Sequence, residues 1–433
     1  MCDCRVPSAR IVKERASGRP SVSACIWLFT QPQGRIAIGH GDTVKERPAL
    51  LLVANWDSGV GYAWWLMENF WATLARAYSP THRVLVAFPS ISTLSLGLTS
   101  APLEAVEQNF GARGATALWR QIRFLRAHRI RVLYLSDRGT FSRRYLAFRM
   151  LGGVRLIVIH DHTPGLRTRP TGLKRAVKAL LHRLPGFAVD GAIGATEFVR
   201  ERLIDVVRMP PERCFAAPNG LPPEDTDTLS VDVHTEFGFG PEQKILVMTG
   251  RANRYKNVEF VLEVLARLTP AEQAALRFLF VGDGPDLKHF RHRAAALNLA
   301  PLCTFAGRRS DVPTILRGCD LAIHPSRGEV GYSLSILESM RAGLPVLVPD
   351  NPSVCAATRD GETGLIYRED DPEDALKALR RLLRDPAAAR RIGRAARNEV
   401  ATRYRLEDTH RALLSAFHAI DPEFPATGGP VGN

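Results

Sequence analysis

Two doubly wound α/β domains in tandem are the fold class this sequence predicts, on three observations. Apolar runs of strand length recur through the first half: ALLLVANW at 49–56, RVLVAF at 83–88, RVLYLS at 131–136 and VRLIVIH at 154–160. Runs of this kind suit parallel strands buried on both faces. Helical stretches separate them, and alternating strands and helices give a parallel sheet covered on both sides. After a polar segment bearing Pro and Gly, the alternation begins again with KILVMTG, RFLFVGDGP, CTFAG, LAIHPS and PVLVPD. A chain of 433 residues is ample for two full cores.

Taken in order, residues 1–46 mix basic, Gly and Pro residues without sustained periodicity and read as a poorly ordered extension. The first domain spans 47–222. Its first apolar run leads into DSGVGYAWWLMENFWATLARAY, a glycine turn and then a helical pattern. Gly59 and Gly61 let a backbone approach a phosphate, although lone glycines more often just permit a tight turn. Trp64, Trp65, Phe70 and Trp71 read as packing. The run at 154–160 ends in HDHTPG, where His160 and His162 flank an aspartate at a strand end. Ligands of parallel sheets bind outside such ends, and a histidine there can orient reacting groups or take a proton.

A basic helix follows at 166–184. Lys174, Arg175 and Lys178 lie on its charged side, and Val177, Leu180, Leu181 and Leu184 form an apolar stripe. That pattern suits a helix on an anionic membrane surface or a clamp for a lipid-phosphate acceptor. A solvated helix packed on its own domain is the plainer alternative. The polar stretch 223–243 reads as linker. The second domain spans 244–405, a closing helix 406–420 and a tail 421–433.

Composition narrows the function classes. Hydrophobic content of 45% and charged content of 24% are those of an ordinary globular protein. The formal charge of +14 calls for an anionic partner. Nucleic acid is disfavoured, because no recognition motif or aromatic-interleaved basic ribbon is present. Seven scattered cysteines argue for a reducing, cytoplasmic setting rather than a disulfide framework. Cys2 and Cys4 make only a C-x-C, with no second pair to complete a metal site. No apolar run approaches the ~18–20 residues of a membrane span.

The chemistry concentrates in two stretches. GRANRYKNV at 250–258 sets Arg251 and Lys256 five residues apart in a loop after a buried strand and Gly250. EVGYSLSILESMRAG at 329–343 places Glu329 before a glycine turn and Glu338 on the helix that follows. Gly331, Tyr332 and Ser333 stand where that helix begins, and a helix start favours an anion. Carboxylates instead accept hydrogen bonds from hydroxyls. Cations and backbone for an anion, beside carboxylates for hydroxyls, describe a sugar-nucleotide site.

Together these motifs resemble the carboxyl-terminal half of the retaining GT-B glycosyltransferases, specifically glycosyltransferase family 4. That family has G-R-x4-K, matched by Gly250, Arg251 and Lys256. It also has two glutamates with seven residues between, then A-x-G-x-P-V. Glu338 is followed by SMRAGLPVLV, which matches, but eight residues separate Glu329 from Glu338 and Val330 takes the strict position. The resemblance implies two Rossmann-like domains facing a cleft and a closing helix that crosses back to the first domain. It also implies transfer from a nucleotide-diphosphate sugar to a glycan or lipid-linked acceptor with retention of configuration. Arg251 and Lys256 then meet the diphosphate, Glu338 the ribose, Glu329 the sugar, and His160, with His162 as the alternate, faces the donor sugar. The loop of Gly59 and Gly61 lies over the cleft. With the cation pair present and no Asp-x-Asp motif at a strand end, metal independence and no cofactor are expected. Rival expectations are a nucleotide-sugar epimerase or hydrolase of this fold, and a sugar-nucleotide binder that transfers nothing.

Overall fold

The computed structural model describes residues 47–59, 64–224 and 231–425, with the Trp64 side chain outside that set. The extension 1–46, Gly61, part of the linker and the end of the tail therefore lie outside the described residues.

Alternate residues of the first strand enter different cores. Leu50 and Leu52 of β1 (Ala49–Val53) pack with Trp71, Phe88 and Val158, while Leu51 and Val53 pack with Phe110, Leu125 and Ile157. A strand turns successive side chains to opposite faces, so an unbroken apolar run is what a sheet covered on both sides requires. Six further parallel strands complete the first sheet: β2 (Arg83–Phe88), β3 (Glu104–Glu107), β4 (Ile130–Ser136), β5 (Leu156–Asp161), β6 (Gly191–Gly194) and β7 (Cys214–Ala216). Their spatial order is 3-2-1-4-5-6-7. The edge strand β3, EAVE, is half exposed and lacks the apolar run that betrays the others.

The second sheet comprises β8 (Lys244–Thr249), β9 (Leu276–Val281), β10 (Cys303–Gly307), β11 (Leu321–Ile323), β12 (Val346–Pro349) and β13 (Gly364–Tyr367). They lie in the order 10-9-8-11-12-13, again all parallel. Strand order reverses between β1 and β4 in one sheet and between β8 and β11 in the other. A crevice opens outside the carboxyl ends at each reversal. The segment at 250–258 follows β8 and that at 324–333 follows β11, so both sequence motifs flank one crevice.

Six helices matter for the site: α1 (Trp64–Tyr78), α2 (Arg143–Met150), α3 (Gly172–Leu181), α4 (Val258–Leu265), α5 (Leu334–Arg341) and α6 (Leu406–Ile420). The chain passes between the sheets twice, side by side: Leu221 N–H donates to the Tyr404 carbonyl and Leu406 N–H to the Leu221 carbonyl, both at 2.8 Å. Beyond that crossing, α6 places Leu413, Ala416 and Phe417 in the core shared with α1. Asp421 then accepts from the Tyr78 hydroxyl and from Arg155, each at 2.7 Å.

Two expectations are revised. Within the stretch read as linker, Asp232 caps a short helix, Val233–Phe237, and Val233 and Phe239 are buried in the second domain's core. Five residues do not hold a helix unaided; burial of Val233 holds this one. The apolar stripe of α3 also shifts. Leu173 (80% exposed), Val177, Leu180 (61%) and Leu184 form it, while Leu181 is half-buried. Lys178 does not reach outward, since its Nζ donates to the Val206 carbonyl at 3.0 Å. No helix among the described residues is long and apolar enough to cross a membrane.

Candidate active site

The loop after β8 is held by backbone. Gly250 N–H donates to the Val281 carbonyl and Ala252 N–H to the Asp283 carbonyl, at 3.1 and 2.9 Å. This close approach needs glycines opposite: a Cβ on Gly282 would stand 1.8 Å from the Gly250 oxygen, and one on Gly284 2.4 Å from the Ala252 oxygen. Asn253 then caps a single turn, its Oδ1 accepting from Lys256 N–H at 3.1 Å. The turn aims Lys256 inward and leaves Arg251 exposed, with no described carboxylate paired to it.

Lys256 Nζ lies 2.5 Å from Glu329 Oε1, and both side chains are largely buried. This contact joins the two motifs across 73 residues. It also shows which of the two neighbouring residues reaches the lysine. Val330, at the strict position, packs against Ala195 and Val199 of the first domain, whereas Glu329 turns to the lysine. An apolar side chain fits that first-domain surface, and the carboxylate does not have to.

The loop at 329–332 is fastened from several sides. Glu329 accepts at its carbonyl from Gly165 N–H (2.8 Å), the Val330 carbonyl accepts from the Thr196 hydroxyl, and the Tyr332 hydroxyl donates to the Asn219 carbonyl (3.0 Å). These contacts bring the carboxyl ends of the two sheets together. Gly331 N–H donates to the Ser353 carbonyl at 2.8 Å, so that amide is not offered to an anion as expected. Ser333 caps α5 through Oγ, which accepts from Ile336 N–H at 3.3 Å. Tyr332 is buried, its ring edge-on to Tyr404. Glu338 stands on the buried face of α5.

On the first-domain side, His160 is the next-to-last residue of β5 and is fully buried, in ring contact with Phe70 and His162. Its Nδ1 meets the Tyr134 hydroxyl at 2.6 Å, while Nε2 has no protein partner. Burial, and then the neighbouring His162, hold its pKa well below the usual histidine value. Tyr134 engages Nδ1 of a ring that burial keeps neutral, which leaves Nε2 as the nitrogen without a protein partner. The pKa of His162 is also lowered, mainly by burial, against the opposing charges of Asp137 and Asp161.

Gly59 does not offer its amide to a phosphate. Its N–H donates to Asp57 Oδ1 at 2.8 Å, and Asp57 also accepts from Ser90 and Ser92. Those two hydroxyls, then the amide, lower the Asp57 pKa. Lys174 and Arg175 are exposed on α3, away from the Lys256 pair by every contact the structure records.

Three residues were not anticipated from sequence. Arg202, 5% exposed, donates to the Asp161 carboxylate (3.1 Å) and to the carbonyls of Thr163 (2.7 Å) and Gly165 (2.9 Å), fixing the HDHTPG loop. Tyr255 lies over Gly165 and Gly328, and burial followed by the Glu329 charge raises its pKa. His324, after β11, is pushed down to about 3 by burial and by Lys256, so it adds no charge to the site. Only its place at a strand end, in LAIHPS, could have marked it.

Comparison with known proteins identifies the family. The family described as Glycosyl transferases group 1 matches residues 232–399, and Glycosyltransferase Family 4 matches residues 67–225. A D-inositol 3-phosphate glycosyltransferase of Stackebrandtia nassauensis is 28% identical over 239 residues, 53% of this chain and 54% of that protein. The alpha-monoglucosyldiacylglycerol synthase of Streptococcus pneumoniae is 27% identical over 217 residues, covering 48% of this chain and 47% of that one. The chain thus spans about half the length of these two curated relatives. A glycosyltransferase structure from Rickettsia africae ESF-5 superposes with a TM-score of 0.69 at 14% identity, over 87% of this chain and 99% of that one, and shares the fold. With both halves matched in sequence and two parallel-sheet domains in the GT-B arrangement, the chain belongs to glycosyltransferase family 4.

Proposed function

We propose that the protein transfers a sugar from a nucleoside-diphosphate donor to a glycan or lipid-linked acceptor, retaining the anomeric configuration, in cell-surface polysaccharide or glycolipid synthesis. The observation that carries this reading is the Lys256–Glu329 contact at the second sheet's crevice, with Arg251 on the same loop and Glu338 on the next helix. Breaking the sugar–oxygen bond moves negative charge onto the diphosphate, and cations aimed there stabilise that charge. Arg251 supplies a fork and Lys256 a point charge. When a diphosphate draws Lys256 away, Glu329 becomes available to a sugar hydroxyl. Glu338 takes the ribose hydroxyls, and the acceptor attacks from the side of the leaving group without a protein nucleophile. The names of the two curated relatives, a D-inositol 3-phosphate glycosyltransferase and an alpha-monoglucosyldiacylglycerol synthase, support an acceptor of this kind.

A thermal-shift screen of nucleotide sugars tests the donor, since a ligand at 100 times its Kd stabilises by about 2.7 kcal/mol. Product analysis then separates the rivals. Consumption of the donor at full rate without any acceptor would identify a hydrolase or epimerase instead, and binding without turnover on any acceptor a binding protein.

The cationic pair takes the place of a divalent metal in this reading. Activity is expected to survive exhaustive chelation. A loss restored by magnesium or manganese would overturn the assignment of the leaving-group chemistry to Arg251 and Lys256.

The reading includes a peripheral position on the cytoplasmic face of a membrane, through α3. Its exposed Leu173 and Leu180 lie beside exposed Lys174 and Arg175, an apolar stripe with a cationic rim. Each basic residue near an anionic surface contributes about 1 kcal/mol, and salt screens it. Sedimentation with anionic vesicles should exceed that with neutral ones and weaken in high salt. Lys174→Gln with Arg175→Gln should weaken it further while nucleotide binding persists. Equal binding of the unaltered protein to both vesicle types would rule the docking out.

A further inference from the structure

A second cavity, of about 360 Å³, lies in the first domain and is not used by the donor chemistry. Three arginines line it: Arg113 from the loop after β3, Arg138 from the loop after β4, and Arg144 from the first turn of α2. No carboxylate is among the residues that line it; its walls are aromatic, including Phe110, Phe141 and Tyr145. Arg144 is fixed by donation from Nη1 to the Ala112 carbonyl at 2.8 Å. Arg138 lies over Gly111, where a Cβ would stand 3.2 Å from Nη2, and no described group pairs with its guanidinium. Arg113 is likewise exposed and unpaired among the described residues.

Converging cations without a counter-ion are costly, more so when partly buried. Burial first, and then the like charges of Arg144 and Arg113, lower the Arg138 pKa, against the opposing pull of Tyr145 and Asp137. Guanidinium forks match the oxygens of phosphate. The volume is in the range of small-molecule sites, with room for a ring against the aromatic walls. The position is also apt. Asp137, the residue before Arg138, donates its N–H to the His160 carbonyl (2.9 Å) and accepts from His162 N–H (2.7 Å). The cavity is therefore wired to the loop that faces the second domain.

We propose that this pocket is an acceptor subsite in which Arg113, Arg138 and Arg144 hold a phosphate monoester. The proposal rests on the reading of the chain as a glycosyltransferase, and it names the class of acceptor: one that carries a phosphate near the hydroxyl to be glycosylated. Arg138 and Arg113 close on the phosphate oxygens, Arg144 supports them from a fixed position, and the aromatic walls take the attached ring or chain.

The test is the binding of phenyl phosphate, measured by calorimetry with and without a saturating nucleoside diphosphate. Binding should persist when the nucleotide site is full, and should weaken about 10–100-fold in Arg138→Gln or Arg113→Gln, as loss of one charge-assisted hydrogen bond does. Unchanged nucleotide affinity verifies that each variant is folded. Binding that the nucleotide displaces, or that neither variant weakens, would overturn the subsite. Neutral vesicles doped with phosphatidate distinguish the sources. An Arg138 dependence with phenyl phosphate alone marks a free phosphorylated acceptor, and one with both probes marks a lipid. If phenyl phosphate binds as expected and only acceptors without phosphate are glycosylated, the acceptor subsite fails and the transferase reading stands; if no acceptor of any kind is glycosylated, the transferase reading fails. Transfer that proceeds equally in wild type and Arg138→Gln also overturns the subsite and leaves the transferase reading standing.

Discussion

Lys256→Ala is expected to lower turnover about 10²–10³-fold, the usual consequence of removing one donor that serves charge developing in a transition state. Arg251→Ala should cost about as much. The two differ in what else they disturb. Arg251 is exposed and has no described carboxylate partner, so its loss should leave the melting temperature unchanged. Lys256 pairs with a Glu329 side chain that is only 11% exposed, and its removal strands a largely buried carboxylate. A stability loss of up to about 3 kcal/mol is therefore expected for Lys256→Ala, and Glu329→Gln in the same chain should recover part of it. Steady-state rates and denaturant midpoints separate the two effects. Undiminished turnover in either folded variant would remove that residue from the chemistry.

Arg202→Met should destabilise the protein by about 3–5 kcal/mol, the cost of breaking a buried ion pair by removing one partner. Arg202 is almost fully buried and spreads its donors over Asp161, Thr163 and Gly165. Without it, Asp161 Oδ2 and two carbonyls lose their partner, while Oδ1 keeps the Thr163 N–H and hydroxyl, and each buried unmet group carries its own desolvation penalty. The damage should be local as well as global. Amides at 162–165 are expected to exchange faster, because this loop is tied down by side chains rather than by a ladder. Asp161→Asn alongside Arg202→Met should restore part of the loss. A urea midpoint shift worth less than about 1 kcal/mol would show that the loop holds itself.

Several parts of this protein were readable one stretch at a time. Strands such as Ala49–Val53 and Val346–Pro349 are covered on both faces, so every residue is apolar and the run announces itself. The helix Leu334–Arg341 carries Glu338 on a local pattern, and the G-R-x4-K loop follows a strand that the run already locates. Those signals are short-range, and a single segment contains them. Edge strand Glu104–Glu107 and the helix Val233–Phe237 were silent for the opposite reason: one is half exposed, and the other is stable only because Val233 meets a distant core.

Only the tertiary structure could choose between Glu329 and Val330, because spacing along the chain treats both as candidates. The choice is made by two surfaces far off in sequence, Lys256 for the carboxylate and Ala195 with Val199 for the apolar side chain. The same holds for Arg202, which reads as one more charge on a surface helix until folding brings it to Asp161 and buries both. It holds for Arg113, Arg138 and Arg144, which sit on three separate loops and turns and become a cluster when the strands align. Periodicity records which face of an element is buried; it carries no record of what lies opposite, and charge pairing is decided there.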